Sequence, residues 1–336
     1  MTARTWTYFV ETRDVWSLQP GISFSRTGGA NEASVELEEE NLFGRGKDVS
    51  ISWSDEVERE SILAALAGCQ RDAEPLALGA RVLDQRRRPP ALPQCRAAVL
   101  LTRHALERGR HGVRLHTCRS EIRSRHIVDE FKHEQSFAEL RGGWSAGLIN
   151  GRAVRWLTGF RYDDNHFANA PDKPAPVSLP PDHTLVYPWV GIASLEDRFV
   201  TTANLNKIGR TEDLDFGTSY TLQLGWASKA VGSDRDAAIL GGTLHSGLSW
   251  AGNQTLFFNT AASGRIESGQ IANGLLDASA RYYWRWALKK VFFAGANAAS
   301  SEALDPENQL QLGGDNGLRG YPLRYQTGHQ SRAVHS

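Results

Sequence analysis

Apolar and polar residues alternate through most of the chain. Near the N-terminus Leu18, Ile22 and Phe24 are interleaved with Gln19, Ser23 and Ser25, and Val49, Ile51 and Trp53 with Ser50, Ser52 and Ser54. Successive side chains of a strand point to opposite faces, so a period of two predicts β-strands with one apolar face. The pattern returns from about Phe131 and is clearest in two runs. In DFGTSYTLQLGWAS, Phe216, Tyr220, Leu222, Leu224 and Trp226 fall on one face, and Gly217, Ser219, Thr221, Gln223 and Gly225 on the other. In LLDASARYYWRWAL, Leu276, Ala278, Ala280, Tyr282, Trp284, Trp286 and Leu288 oppose Asp277, Ser279, Arg281, Tyr283 and Arg285.

Roughly ten such segments, of about nine to twelve residues each, are separated by short turns such as Lys289-Lys290 and by longer polar loops. A soluble β-sandwich also alternates, but its strands usually run to about five or six residues. Aromatic residues near segment ends, Trp226, Trp250 and Tyr282, suit a bilayer interface, and the small or charged opposite face suits a wet interior. The expected fold is all-β: an antiparallel transmembrane β-barrel.

The stretch 59–125 has another character. It holds all three cysteines (Cys69, Cys95, Cys118), many arginines including Arg86-Arg87-Arg88, and no Phe, Tyr, Trp, Lys or Asn. A basic patch, a helical plug and a disordered insert are possible readings. The composition is also what a GC-rich gene yields when translated out of frame between two compensating shifts. The closing GHQSRAVHS is expected to be a second such slip. The chain is thus divided into N-terminal strands (1–58), an irregular insert (59–125), further strands (126–328) and an atypical tail (329–336).

Charge narrows the partners: 38 basic and 38 acidic residues give zero formal net charge, so nothing draws the chain to nucleic acid. The cysteines lack metal-ligand spacing, and their odd number argues against a disulfide framework. No run is long and apolar enough for a transmembrane helix, and the N-terminus lacks the charged and apolar regions of a signal peptide. No cofactor or metal is expected.

One motif stands out: LGGDNGLRGYP, with Gly313, Gly314, Leu318, Arg319, Gly320 and Tyr321. Gly-Gly and Asn-Gly explain a turn, but not the arginine. This stretch resembles the signature loop of the outer-membrane β-barrel assembly and two-partner secretion family, also called the bacterial surface antigen family. EENLFGRGKDVSISWS agrees, with Asn41, Leu42, Phe43, Gly44, Arg45 and Gly46 resembling the turn of that family's early barrel hairpin. The resemblance covers 5–54 and 131–327.

That resemblance implies an outer-membrane protein of a Gram-negative bacterium, which inserts outer-membrane proteins or passes secreted polypeptides across the membrane. Its partners would be the lipid bilayer, the client polypeptides and periplasmic polypeptide-transport-associated (POTRA) modules. It also implies that the loop folds into the lumen and that Arg319 meets a carboxylate on the inner wall, since a guanidinium keeps its charge and needs a bidentate partner. Gly313 and Gly314 would be the flexible base of this latch. Family barrels have about sixteen strands, so the chain is expected to be a partial barrel of about ten to twelve strands with an irregular insert, lacking the POTRA modules and the wall after the loop.

No catalytic set is found, so no enzyme is expected. The chain has no G-x-S-x-G elbow, and His126, His133, His166, His183 and His245 lie in no recognisable motif. Tyr162-Asp163-Asp164-Asn165-His166 lacks an EF-hand's spacing and is expected to be a solvated hairpin turn. Leu37–Asn41 is expected to be a strand end, and the prolines of 169–183 an exposed loop.

Overall fold

The computed structural model describes residues 16–27, 30–44, 47–56, 59–69, 76–86, 117–123, 126–170, 176, 178–205, 209–287, 290–313, 321 and 326–335. In chain order the strands are β1 (Leu18–Thr27), β2 (Ala30–Glu39), β3 (Lys47–Glu56), β4 (Arg59–Cys69), β5 (Leu76–Arg86), β6 (Thr117–Arg123), β7 (His126–Ile149), β8 (Arg152–Asn169), β9 (His183–Glu196) and β10 (Phe199–Ala203). They continue with β11 (Thr211–Asp215), β12 (Ser219–Ala227), β13 (Ala237–Trp250), β14 (Gln254–Glu267), β15 (Gln270–Ala287), β16 (Lys290–Glu302), β17 (Leu310–Leu312), β18 (Gln326–Gly328) and β19 (Gln330–His335). Fifteen of them form one antiparallel sheet, in the order β1-β2-β3-β4-β5-β7-β8-β9-β12-β13-β14-β15-β16-β19 with β6 on β7. Apart from its excursions the path is an up-and-down meander, and among the described residues β1 and β19 are its two ends, so the sheet is open.

Cross-strand register keeps the alternation in phase through the mid-strand ladders, and bulges near Ser145, Ser263 and Arg285 break it toward the strand ends. Leu222 stands opposite Ile192 and Gly242, Leu224 opposite Val190 and Leu240, and Trp284 opposite Phe292. On this outer face even the mid-strand side chains are open: Val190 is 59% and Leu222 55% exposed. Such a belt is costly in water and is what a hydrocarbon layer requires. Trp250 stacks on Tyr282 at 6.1 Å and Trp284 meets Trp286 at 5.7 Å, giving the belt an aromatic border. The inner face buries Tyr187, Trp189, Phe257 and Tyr283 among polar neighbours.

One rim, here the turn rim, is closed mainly by tight connections. Asn150 and Gly151 both have positive φ (51° and 75°), as do Ser268 and Gly269 at the opposite rim (50° and 81°), the geometry of two-residue hairpins. At the turn rim the NLFG stretch joins β2 to β3: Leu42–Gly44 is a single 3-10 turn, Gly44 N–H donates to Asn41 O at 2.8 Å, and Phe43 and Gly44 adopt φ of 57° and 70°.

The structure corrects several expectations. β4 and β5, in the stretch expected to be an irregular insert, pair with β3 and β7, and β6 pairs with β7. Ladder pairing uses backbone groups, so the Ala, Leu and Gly of ILAALAGC and LALGARVL pair as well as aromatic-rich strands. The tail is β19, paired with β16 from Gly295 to Ser300. Tyr162–His166 is no turn but part of β8, because β7 runs for 24 residues and supplies the partners Phe137↔Asp163 and Gln135↔Asn165. Strands are therefore longer than expected, and fifteen share the sheet where about ten to twelve were expected. Phe216, expected on the outer face, is buried against Phe257 on the inner one, since the chain breaks phase at Gly217 before β12 begins.

Candidate functional site at the base of the long loop

Of the signature residues, Gly313 is buried beside the end of β17 and Tyr321 is 47% exposed. Gly314, Leu318, Arg319 and Gly320 lie outside the described residues, as do Arg45 and Gly46 of the early turn. The structure shows what holds the loop that carries the signature. β17 and β18 pair through Leu310↔Gly328, Gln311↔Thr327 and Leu312↔Gln326, a short neck that brings together the two ends of 313–325.

Below the neck the chain leaving β16 is tied to the sheet. Asn273 N–H donates to Ala303 O at 2.7 Å, and Asn308 Nδ2 donates to Asn273 Oδ1 at 3.1 Å. Arg265 makes the strongest tie. It projects from β14 on the inward parity, is nearly buried, and donates through both terminal nitrogens to Asp305 at 2.7 and 2.9 Å. Its Nε donates to Glu267 at 2.6 Å. A planar guanidinium matched to a carboxylate in this way gives orientation as well as charge neutralisation.

From Glu267 the network crosses to the neighbouring loop. Glu267 Oε2 lies 3.6 Å from Arg235, and Arg235 donates through Nε to Asp234 at 2.9 Å. Thr184 N–H donates to Asp234 at 3.3 Å, while Asp234 N–H returns a bond to Thr184 O at 3.0 Å. Burial alone would raise the Asp234 carboxyl, but the Arg235 guanidinium and the Thr184 N–H hold it below its ordinary value. Ser233 Oγ accepts from Val186 N–H and donates to Val186 O, so residues 228–236 extend the edge of β9.

His183, Asp305 and Glu307 present donor atoms within 4.8 Å of one another. Both oxygens of Asp305 accept from the Arg265 fork, and His183 Nε2 lies 3.5 Å from Glu307. Farther down the inner face Arg161 reaches Glu139 at 3.1 Å and Tyr187 Oη at 3.3 Å, with its guanidinium 4.8 Å from the Phe137 ring. Gln135 donates to Asp163 at 2.9 Å, and His133 bonds Asn165 at 2.8 Å while stacking on Phe167. These arrangements hold chain segments against a wall.

Sequence reasoning missed Arg265 and Asp305. The available signal was parity: in FNTAASGRIE, Arg265 shares its face with Asn259 and Ser263, and an inward arginine demands a carboxylate.

No family model matches the chain, and no curated protein matches it. Among solved structures it is similar to BamA from Haemophilus ducreyi lacking POTRA domains 1–3, with a TM-score of 0.53 and 8% identity over 96% of this chain and 71% of that one. It is also similar to CdiB from Acinetobacter baumannii, with a TM-score of 0.51 and 7% identity over 86% of this chain and 50% of that one. At such identities the likeness is one of fold: a BamA-like and CdiB-like antiparallel barrel wall.

Proposed function

We propose that the chain is an outer-membrane barrel protein of a Gram-negative bacterium that acts on polypeptides, inserting them into that membrane or passing them across it. The observation that carries this reading is the signature-bearing loop, closed at its neck and clamped by Arg265 and Asp305 to the inner side of a wall with a lipid belt. The fold likeness to BamA and CdiB supports the same reading.

Arg319, Gly320 and Tyr321 are assigned to a lumenal latch and Gly313 and Gly314 to its base, with the bilayer, client polypeptides and POTRA modules as partners. No covalent chemistry is assigned. The test is Arg319→Glu in the host bacterium, followed by the level of correctly folded outer-membrane proteins and of secreted client. Either process should collapse while the variant still accumulates in the outer membrane. Unchanged assembly and secretion, with only an altered single-channel conductance, would mean a porin-like pore instead.

A further inference from the structure

Strands β9 and β12 are adjacent and antiparallel, and Glu196 N–H already donates to Thr218 O at 3.3 Å. A two-residue turn would join them. The chain instead inserts 197–217, which forms its own two-stranded sheet, β10–β11, and folds back over the inner face. Leu205 and Leu214 pack against a cluster of Phe216, Phe257 and Tyr283, together with Val291 and Phe293 of β16.

Two side chains of the wall, Arg285 and His245, reach main-chain carbonyls of the hairpin. Arg285 of β15 donates to Ala203 O at 3.0 Å, besides Thr202 Oγ1 at 2.8 Å. His245 Nε2 of β13 lies 3.3 Å from Asp215 O, and in the other direction Arg198 of the insert donates to Gly247 O of the wall at 2.7 Å. Gly247 leaves room for the backbone: a Cβ there would stand 2.7 Å from Phe216 Cα and 3.1 Å from Asp215 O. Carbonyls are common to every residue, so a wall that grips them, with aromatic rings for alternate apolar side chains, selects for extended chain and not for one sequence.

We infer that the inner wall formed by β13, β14, β15 and β16 near the turn rim is a binding site for extended polypeptide, occupied in cis by the β10–β11 hairpin. Naming a client chain as the natural occupant rests on the function proposed above; binding itself does not.

The test uses the full chain in detergent and a fluorescent peptide copying residues 198–217. In one variant, Asn-Gly replaces 197–217 and joins Glu196 to Thr218. This shortened chain should bind the peptide at least about tenfold more tightly than the intact chain. Adding Arg285→Ala should weaken that binding roughly tenfold, since hydrogen bonds from a charged donor are lost. A peptide of shuffled sequence that keeps the apolar-polar alternation should bind within a few-fold of the copy.

Arg198→Ala in the otherwise intact chain loosens only the hairpin's own hold. It should raise both amide exchange across 199–215 and peptide binding, and it carries the test should the shortened chain not fold. Equal binding to intact and opened chains, or indifference to Arg285→Ala, overturns the site. Binding of the copy without the shuffled peptide overturns its breadth. Peptide binding that persists in a chain inactive in assembly and secretion counts against the proposed function alone.

Discussion

Trp189 of β9 lies flat over Gly159 of β8, its cross-strand partner: a Cβ on Gly159 would meet ring carbons Cε2 and Cζ2 at 2.6 Å. Tyr187 covers Gly225 in the same way from the opposite neighbour, at 2.6 Å. These two joints fill the inner face of β8, β9 and β12 with aromatic surface that no side chain on the glycine would permit. Gly159→Val should therefore destabilise the sheet by about 1–3 kcal/mol through overpacking. Loss of the folded, heat-modifiable band at lower temperature in detergent would show it, and an unchanged transition would remove the joint from the account.

Arg265 and Asp305 are both largely buried, and removing Asp305 leaves Arg265 with Glu267 alone. Asp305→Ala should weaken the loop base by about 1.5–3 kcal/mol, the range for charged hydrogen bonds lost while Arg265 keeps Glu267. Amide exchange at Leu310–Leu312 and Gln326–Gly328 should rise sharply. Arg265→Leu combined with Asp305→Leu should recover much of the protection, because Glu267, partly exposed, still has Arg235 beside it.

Acid should release the loop 228–236. The Asp234 carboxyl sits below its ordinary value in the folded chain, so the ionised form is favoured by folding. Its contribution is complete above the unfolded carboxylate range, near 4, and is lost as pH falls through the folded value. The protection factor of Thr184 N–H and of residues 228–236, that is, exchange relative to the intrinsic rate at each pH, should be flat from about pH 5 to 8 and fall below about pH 4. Asp234→Asn should raise the neutral-pH rate and abolish the step.

Leu222 lies mid-strand in β12 on the open apolar face, flanked by Ile192 and Gly242. If that face meets hydrocarbon, Leu222→Arg should cost about 2–4 kcal/mol near the midplane, whereas Gln223→Arg on the inner parity should be mild. Comparing the folding free energies of the two variants in lipid vesicles checks the assignment of faces. Equal effects would argue against it.

The outer face was legible in the sequence wherever large residues alternate with small polar ones, as from Leu276 to Trp286. Legibility failed where side chains do not define the strand. β4 and β5 pair through their backbones without an aromatic residue to mark a face. Asp163, Asp164 and Asn165 looked like turn residues because isolated Asp and Asn favour turns. Here Gln135, Thr184 and His133 answer them across the ladder, a long-range pairing that local spacing does not contain. The clamp was hidden for the same reason, since Arg265 and Asp305 meet only once β14, β15 and β16 are aligned.

The length of β7 gives the rim its profile. Its 24 residues measure about 80 Å along the strand, more than twice the roughly ten residues that a tilted crossing of the hydrocarbon requires. The ladder with β8 continues out to Phe131 and Asn169, stiffened by the stack of His133 on Phe167. At β14 and β15, by contrast, the wall ends in the two-residue turn Ser268-Gly269. The rim is therefore skewed, tall along β7 and β8 and lower along β14 and β15, where the base of the long loop is seated.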